Sequence, residues 1–159
     1  MLIKIVIKMI VSVSYHNRIP AIPGDEISEL IDALKSIKTP LNKSSRVSFK
    51  QELFEKIQIL GWSGNSKLFP SQSSISITSR KNNFGLCIQL GNIARYYADV
   101  IKLQHLVLNN DISDGIIIVF HSEATRKLFS GGGNLASYER IQSELDLLKK
   151  SITIPITLI

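Results

Sequence analysis

The chain has 159 residues, 44% hydrophobic and 20% charged, which is enough for one packed core and excludes an intrinsically disordered chain. A surplus of 19 Lys and Arg over 13 Asp and Glu leaves a net charge of +6 and an isoelectric point near 9.5. This suits a polyanionic partner, because neutralised phosphates release condensed counterions, or else a merely basic soluble surface. The single cysteine, Cys87, excludes an internal disulfide framework and a Cys-based zinc finger, and fits a reducing cytoplasm.

The first stretch, MLIKIVIKMIVSV, is apolar but interrupted by Lys4 and Lys8, and no small-residue cleavage site follows. Residues 2–14, rich in β-branched side chains, predict a strand and not a leader. No later run approaches the roughly 18 apolar residues that a membrane-spanning helix needs. Pro20, Pro23 and Gly24 then make a loop, and Asp25 is placed to cap a helix. Its apolar positions, Ile27, Leu30, Ile31, Leu34 and Ile37, fall on one face. Thr39-Pro40 ends it. A second helix is expected from about Ser48 to Leu60, with Gly61 as its stop.

Residues 63–74 read as loop. Ser74–Ser79 and Asn83–Leu90 are strand candidates joined through Arg80-Lys81-Asn82. In the second, Phe84, Leu86, Ile88 and Leu90 alternate with Gly85, Cys87, Gln89 and Gly91. By the same parity Ser76, Thr78, Cys87 and Gln89 share a face. A long helix follows from Asn92, which can cap it, to Leu108, and Asn109-Asn110 stops it. Gly115–Phe120 is almost wholly apolar, as a central strand covered on both sides would be. A short helix over 122–129, a glycine loop at 131–133, a helix from Asn134 or Ser137 to Lys150, and a strand Ile152–Ile159 complete the order. The chain ends inside that last strand, which leaves room for a recognition segment beyond it. This alternation predicts an α/β fold with a mixed sheet and helices on both faces. Neither a repeat nor a linker divides residues 1–159, so one domain is expected.

The segment Phe84–Val119, FGLCIQLGNIARYYADVIKLQHLVLNNDISDGIIIV, carries a family resemblance. Cys87-Ile88-Gln89 stands where the BglII group of restriction endonucleases has a strand with an acid-x-Gln or acid-x-acid pair. Gly91-Asn92, Asp99-Val100 and Gly115–Val119 follow in that group's order. The likeness extends through Asn134–Arg140 to the strand around Pro155, covering roughly residues 75–159. BamHI-like enzymes are more distantly similar. The resemblance implies a restriction-endonuclease-like fold and a type II enzyme that binds double-stranded DNA and hydrolyses phosphodiester bonds with Mg²⁺. It also implies a homodimer in the cytoplasm, with a two-fold axis matching a palindromic site, and no membrane partner.

In that family acids on two adjacent strands converge on a hard metal ion, which neutralises the scissile phosphate and activates water. Transferred by position, the catalytic candidates here are Gln89, Cys87 and Thr78. Only Gln89 matches; Cys87 and Thr78 stand where acids are expected, and no metal ligand is assigned. Candidate DNA contacts are Arg80, Lys81, Asn92 and Arg95, with Arg126, Lys127 and Arg140 as further cations. Asp99 is the best-placed acid elsewhere, although its spacing from Arg95 and Lys102 is also that of ordinary helix-surface pairing. Asp111 and Asp114 fit a turn. Cys87 reads more simply as a buried thiol than as a nucleophile, since His16, His105 and His121 are each isolated in sequence. The alternatives to a nuclease are a catalytically inactive relative that binds DNA or another partner, and an α/β protein sharing only the architecture.

Overall fold

The alternating hydrophobic pattern resolves, in a computed structural model that describes residues 9–18, 24–129 and 133–159, into a mixed sheet covered by helices. The elements are β1 Ser14–His16, α1 Asp25–Lys35, α2 Arg46–Ile59, β2 Ser66–Lys67, β3 Ser76–Ile77, β4 Ser79–Lys81, β5 Phe84–Gln89, α3 Ile93–Leu108, β6 Asp114–Val119, α4 Ser122–Leu128, α5 Tyr138–Leu147 and β7 Ile156–Leu158. The main sheet runs β1-β7-β6-β5-β4. Strands β5, β6 and β7 are parallel, while β1 and β4 close the two edges antiparallel.

Period-two alternation sorts the two faces as expected. Leu86, Ile88, Ile116 and Ile118 face α1 and α2, and Cys87, Ile117 and Val119 face α3 and α5. The apolar faces of the helices meet them: Ile27, Leu30 and Leu34 from α1, Leu53 and Ile57 from α2, and Tyr96, Val100, Leu103 and Leu106 from α3.

Several local expectations change. Residues 2–8 of the expected first strand, Pro20 and Pro23 of the expected loop, and Gly131-Gly132 of the glycine loop lie outside the described residues, and the strand itself is Ser14–His16. Gly24, not Asp25, is the N-cap of α1; Asp25 and Glu26 occupy its first turn, where acids favour the helix dipole. The 63–74 loop contains β2, which pairs with β3. The expected 74–79 strand breaks at Thr78 into β3 and β4. Arg80 and Lys81 therefore lie within β4, and the hairpin turns at Asn82-Asn83, with Asn82 in the left-handed region at φ 49°. The last strand is only Ile156–Leu158.

One contact draws α3 close to the sheet. Gly85 and Gly115 pair directly across β5 and β6. Leu103, fully buried, fills the space their missing side chains leave. A Cβ on Gly115 would stand 3.0 Å from Leu103 Cδ1, and one on Gly85 would stand 2.7 Å from Ile112 Cδ1 and 3.0 Å from Leu103 Cδ2. A second tie joins α4 to α5. Glu139 accepts from His121 Nδ1 at 2.9 Å and from the Ser122 amide at 2.8 Å. Burial opposes the charge of Glu139, but the His121 bond, the backbone amides and the His121 charge together hold its carboxyl at about 2.

Gly85→Ala and Gly115→Ala are each expected to lower unfolding stability by about 1–3 kcal/mol through overpacking, read from urea denaturation. Leu103→Ala is expected to cost about 2–5 kcal/mol through the cavity it leaves. Because the Glu139 carboxyl is depressed, its contribution is fully present above its ordinary value near 4.5 and is lost as pH falls toward about 2. Glu139→Gln should flatten that part of the stability-versus-pH curve.

Candidate functional site

The carboxyl end of β5 faces α3 across a polar cluster. Gln89, only 5% exposed, donates from Nε2 to Asp99 Oδ2 at 3.2 Å and accepts the Gly91 amide on Oε1 at 3.1 Å. The other Asp99 oxygen accepts from Lys102 Nζ at 2.9 Å. Strand parity aims Gln89 at α3, and the i, i+3 spacing of Asp99 and Lys102 puts both on the helix face that meets it. The β4–β5 ladder ends at Ser79 opposite Leu86. Beyond it the Thr78 hydroxyl, not a backbone carbonyl, accepts the Ile88 amide at 3.0 Å. The break between β3 and β4 thus gives Thr78 a structural task beside the site.

Cys87 lies behind this cluster, 1% exposed among core residues of α3 and β6. Burial pushes its thiol well above the ordinary range. The negative charge of Asp99 pushes the same way, while Lys102 draws it partly back. It is a neutral core thiol at physiological pH. No imidazole serves it: His16 bonds to the Ile152 carbonyl at 2.7 Å on β1, three strands and roughly 14 Å away. His105 meets Asn109 on α3, and His121 meets Glu139.

In front of the cluster opens a cleft of about 1070 Å³ between α2 and α3. Arg46 and Lys50 of α2 and Arg95 and Lys102 of α3 line it, against the carboxylates Glu55 and Asp99, so the cleft carries net positive charge. Arg46 also lies over the Phe129 ring at 4.9 Å.

Of the residues singled out in the sequence, Ser76, Thr78, Gln89, Arg95 and Asp99 line this cleft. Cys87 backs it. Asn92 caps α3, its Oδ1 accepting the Ala94 amide at 2.8 Å, and bridges to Leu135. Arg80 and Lys81 lie at the other end of the β4–β5 pair, with Lys81 opposite Phe84, roughly 17 Å along the strand from Gln89. Lys81 is ion-paired with Glu29, and the Arg80 Nε is buried without a partner among the described residues. Lys127 and Arg140 pair within their own helices, with Glu123 and Glu144, and Asp114 pairs with Arg18 at 3.4 Å. Asp99 does pair along its helix, as its spacing from Lys102 suggests, and it also bonds Gln89, which spacing could not disclose. Arg46, Lys50 and Lys102 were overlooked as a group. Their only signals were the i, i+4 cation spacing on α2 and the i, i+3 pair on α3.

These side chains do not suit Mg²⁺. That ion takes carboxylate and water oxygens in octahedral geometry. At the end of β5 Asp99 is the one carboxylate bonded to Gln89, its charge already met by Lys102, and Cys87 beside it is a protonated soft thiol. Among the described residues no three His, Cys, Asp or Glu side chains converge as metal ligands.

Cys87 in the folded protein is expected to react with a thiol reagent at neutral pH at least tenfold more slowly than in denaturant, because attack needs an exposed thiolate. Fast labelling of the native protein would contradict the burial described above.

The profile of a family described as "Restriction endonuclease BglII/BglIII" matches residues 19–159. Among solved structures, one described as "restriction endonuclease BGLII complexed with DNA 16-mer" aligns with a TM-score of 0.77 at 16% identity, over 94% of this chain and 75% of that one. Free BglII aligns with a TM-score of 0.66 at 19% identity, over 94% of this chain and 78% of that one. No curated protein matches the chain. The described helices include none long and apolar enough to cross a membrane. At these identities the structures speak to fold alone; the family profile, spanning most of the chain, goes further, and the chain belongs to the BglII/BglIII restriction endonuclease family.

Proposed function

We propose that this protein binds double-stranded DNA through the α2–α3 cleft and that Mg²⁺-dependent phosphodiester hydrolysis is lost or much reduced. The observation that carries this reading is the pairing of a cationic cleft with a strand end that has no carboxylates. Arg46, Lys50, Arg95 and Lys102 line the cleft, while Thr78 and Cys87 occupy the positions where the family resemblance expects acids. Cations on facing helices suit the phosphate backbone, which contributes register and salt-dependent affinity but not sequence choice. A relative of title "complexed with DNA 16-mer" supports the ligand class. A homodimer is the assembly we propose, since a two-fold protein matches a palindromic duplex.

A second reading, a retained nuclease, is favoured by one contact. The Gln89 amide holds Asp99 at 3.2 Å, so one carboxylate from α3 does reach the strand position that matches the family.

The two readings part in a pair of measurements. Duplex affinity, followed by fluorescence anisotropy, should fall with salt at a log–log slope of roughly −3 to −4 if the four cleft cations each meet a phosphate. Replacing Arg46 and Lys50 together by Gln should reduce that slope by about 2. Absence of salt-dependent binding would sink the proposal. Supercoiled plasmid with Mg²⁺ or Mn²⁺ should remain intact; metal-dependent nicking that disappears in Asp99→Asn would establish the second reading instead. In Cys87→Glu, a second carboxylate beside Asp99 should bring a metal response that the wild type lacks, in nicking or in duplex affinity.

A further inference from the structure

The polar cluster behind the cleft is built of donors rather than of metal ligands, and this points to a different occupant. Asp99 has both oxygens engaged, one by the Gln89 amide at 3.2 Å and one by the Lys102 ammonium at 2.9 Å. The Gln89 carbonyl oxygen is taken by the Gly91 amide at 3.1 Å. Thr78 uses its oxygen to accept from the Ile88 amide, which leaves its hydroxyl proton to give. The Lys102 ammonium has three protons and spends one on Asp99; among the described residues no other acceptor takes the remaining two. Cys87 stays protonated. Each of these acceptor oxygens already holds a donor, and the Lys102 ammonium and the Thr78 hydroxyl keep protons to give.

We propose that the Lys102 ammonium is a built-in cation at this site. Braced by Asp99, it contacts a backbone phosphate of bound duplex DNA, and binding in the cleft needs no divalent metal. Geometry favours Lys102 over its neighbours for this task. Its side chain is 26% exposed, so the ammonium is partly shielded and still open to the cleft, and Asp99, 13% exposed, fixes its direction. Partial burial strengthens such a charge contact over one made by a fully solvated lysine, and bracing lowers the ordering cost of the long side chain. The assignment rests on the proposed DNA binding and adds to it a residue and an independence from metal.

The test measures wild-type affinity for a labelled duplex in EDTA and in Mg²⁺ at matched ionic strength. The two values are expected to agree within about twofold; at least tenfold tightening by Mg²⁺ would assign the site to a metal and overturn the proposal. This arm needs no variant and so cannot fail through misfolding. Lys102→Gln should then lose roughly tenfold in affinity equally in both buffers, with a salt slope shallower by about 1. Lys102→Arg should recover most of the loss. An unchanged slope in Lys102→Gln would overturn the contact. Inorganic phosphate replacing chloride at equal ionic strength should leave duplex binding within about twofold; strong displacement would reassign the pocket to free phosphate. If the wild type shows no salt-dependent duplex binding, the proposed function itself falls. If it binds only with Mg²⁺, that function stands and the Lys102 assignment alone is lost.

Discussion

Leu103 seated on the Gly85–Gly115 pair governs how near α3 comes to the sheet, and that distance decides whether the site exists. Asp99 lies four residues before Leu103 and Lys102 one before it, so both are carried by the same helix docking. A larger residue at either glycine would lift the helix, and side chains that reach Gln89 at 3.2 Å would fall out of hydrogen-bond range with a shift of about half an ångström or more. The core and the site are therefore one construction. The apolar end of α3 sets the depth, and the polar turn before it uses that depth.

The same arrangement explains how a strand position without its acids can remain ordered. A buried polar group needs partners, and Gln89 has both ends satisfied, by Asp99 and by the Gly91 amide. Asp99 in turn is neutralised by Lys102. With Cys87 packed as a core side chain, the cluster requires no ion to compensate accumulated negative charge, unlike a site with several convergent carboxylates. The charge balance has moved from strand acids and a metal, as the family resemblance implies, to one acid and one ammonium on a helix. The positive charge of the cleft comes from Arg46, Lys50 and Arg95 around this neutral pair.

Much of the fold was legible in the sequence because its elements follow their periods. The alternation over 84–90 and the apolar run at 115–120 predicted β5 and β6 with their correct faces. The misreadings cluster where local signals compete. Arg80 and Lys81 look like a turn by polarity, yet ladder pairing with Gly85 and Phe84 draws them into β4 and leaves Asn82 to take the left-handed conformation. Thr78 looks like a strand residue and instead marks the break that ends the ladder.

The amino-acid order by itself determined the layered α/β architecture, the central position of β6, and the absence of acids at Thr78 and Cys87, since these depend on period and on residue identity. It also placed Gln89, through strand parity. Only the tertiary structure decided which charges surround that position. Lys81, a candidate DNA contact by sequence, pairs with Glu29, while Arg46, which the sequence reading did not single out, lines the cleft. Asp99 reaches across from α3 instead of serving its own helix surface alone. The physical reason is that contacts between a helix and a strand depend on packing depth and rotation, which arise from side chains such as Leu103 meeting glycines far from them in sequence, and no local period records that meeting.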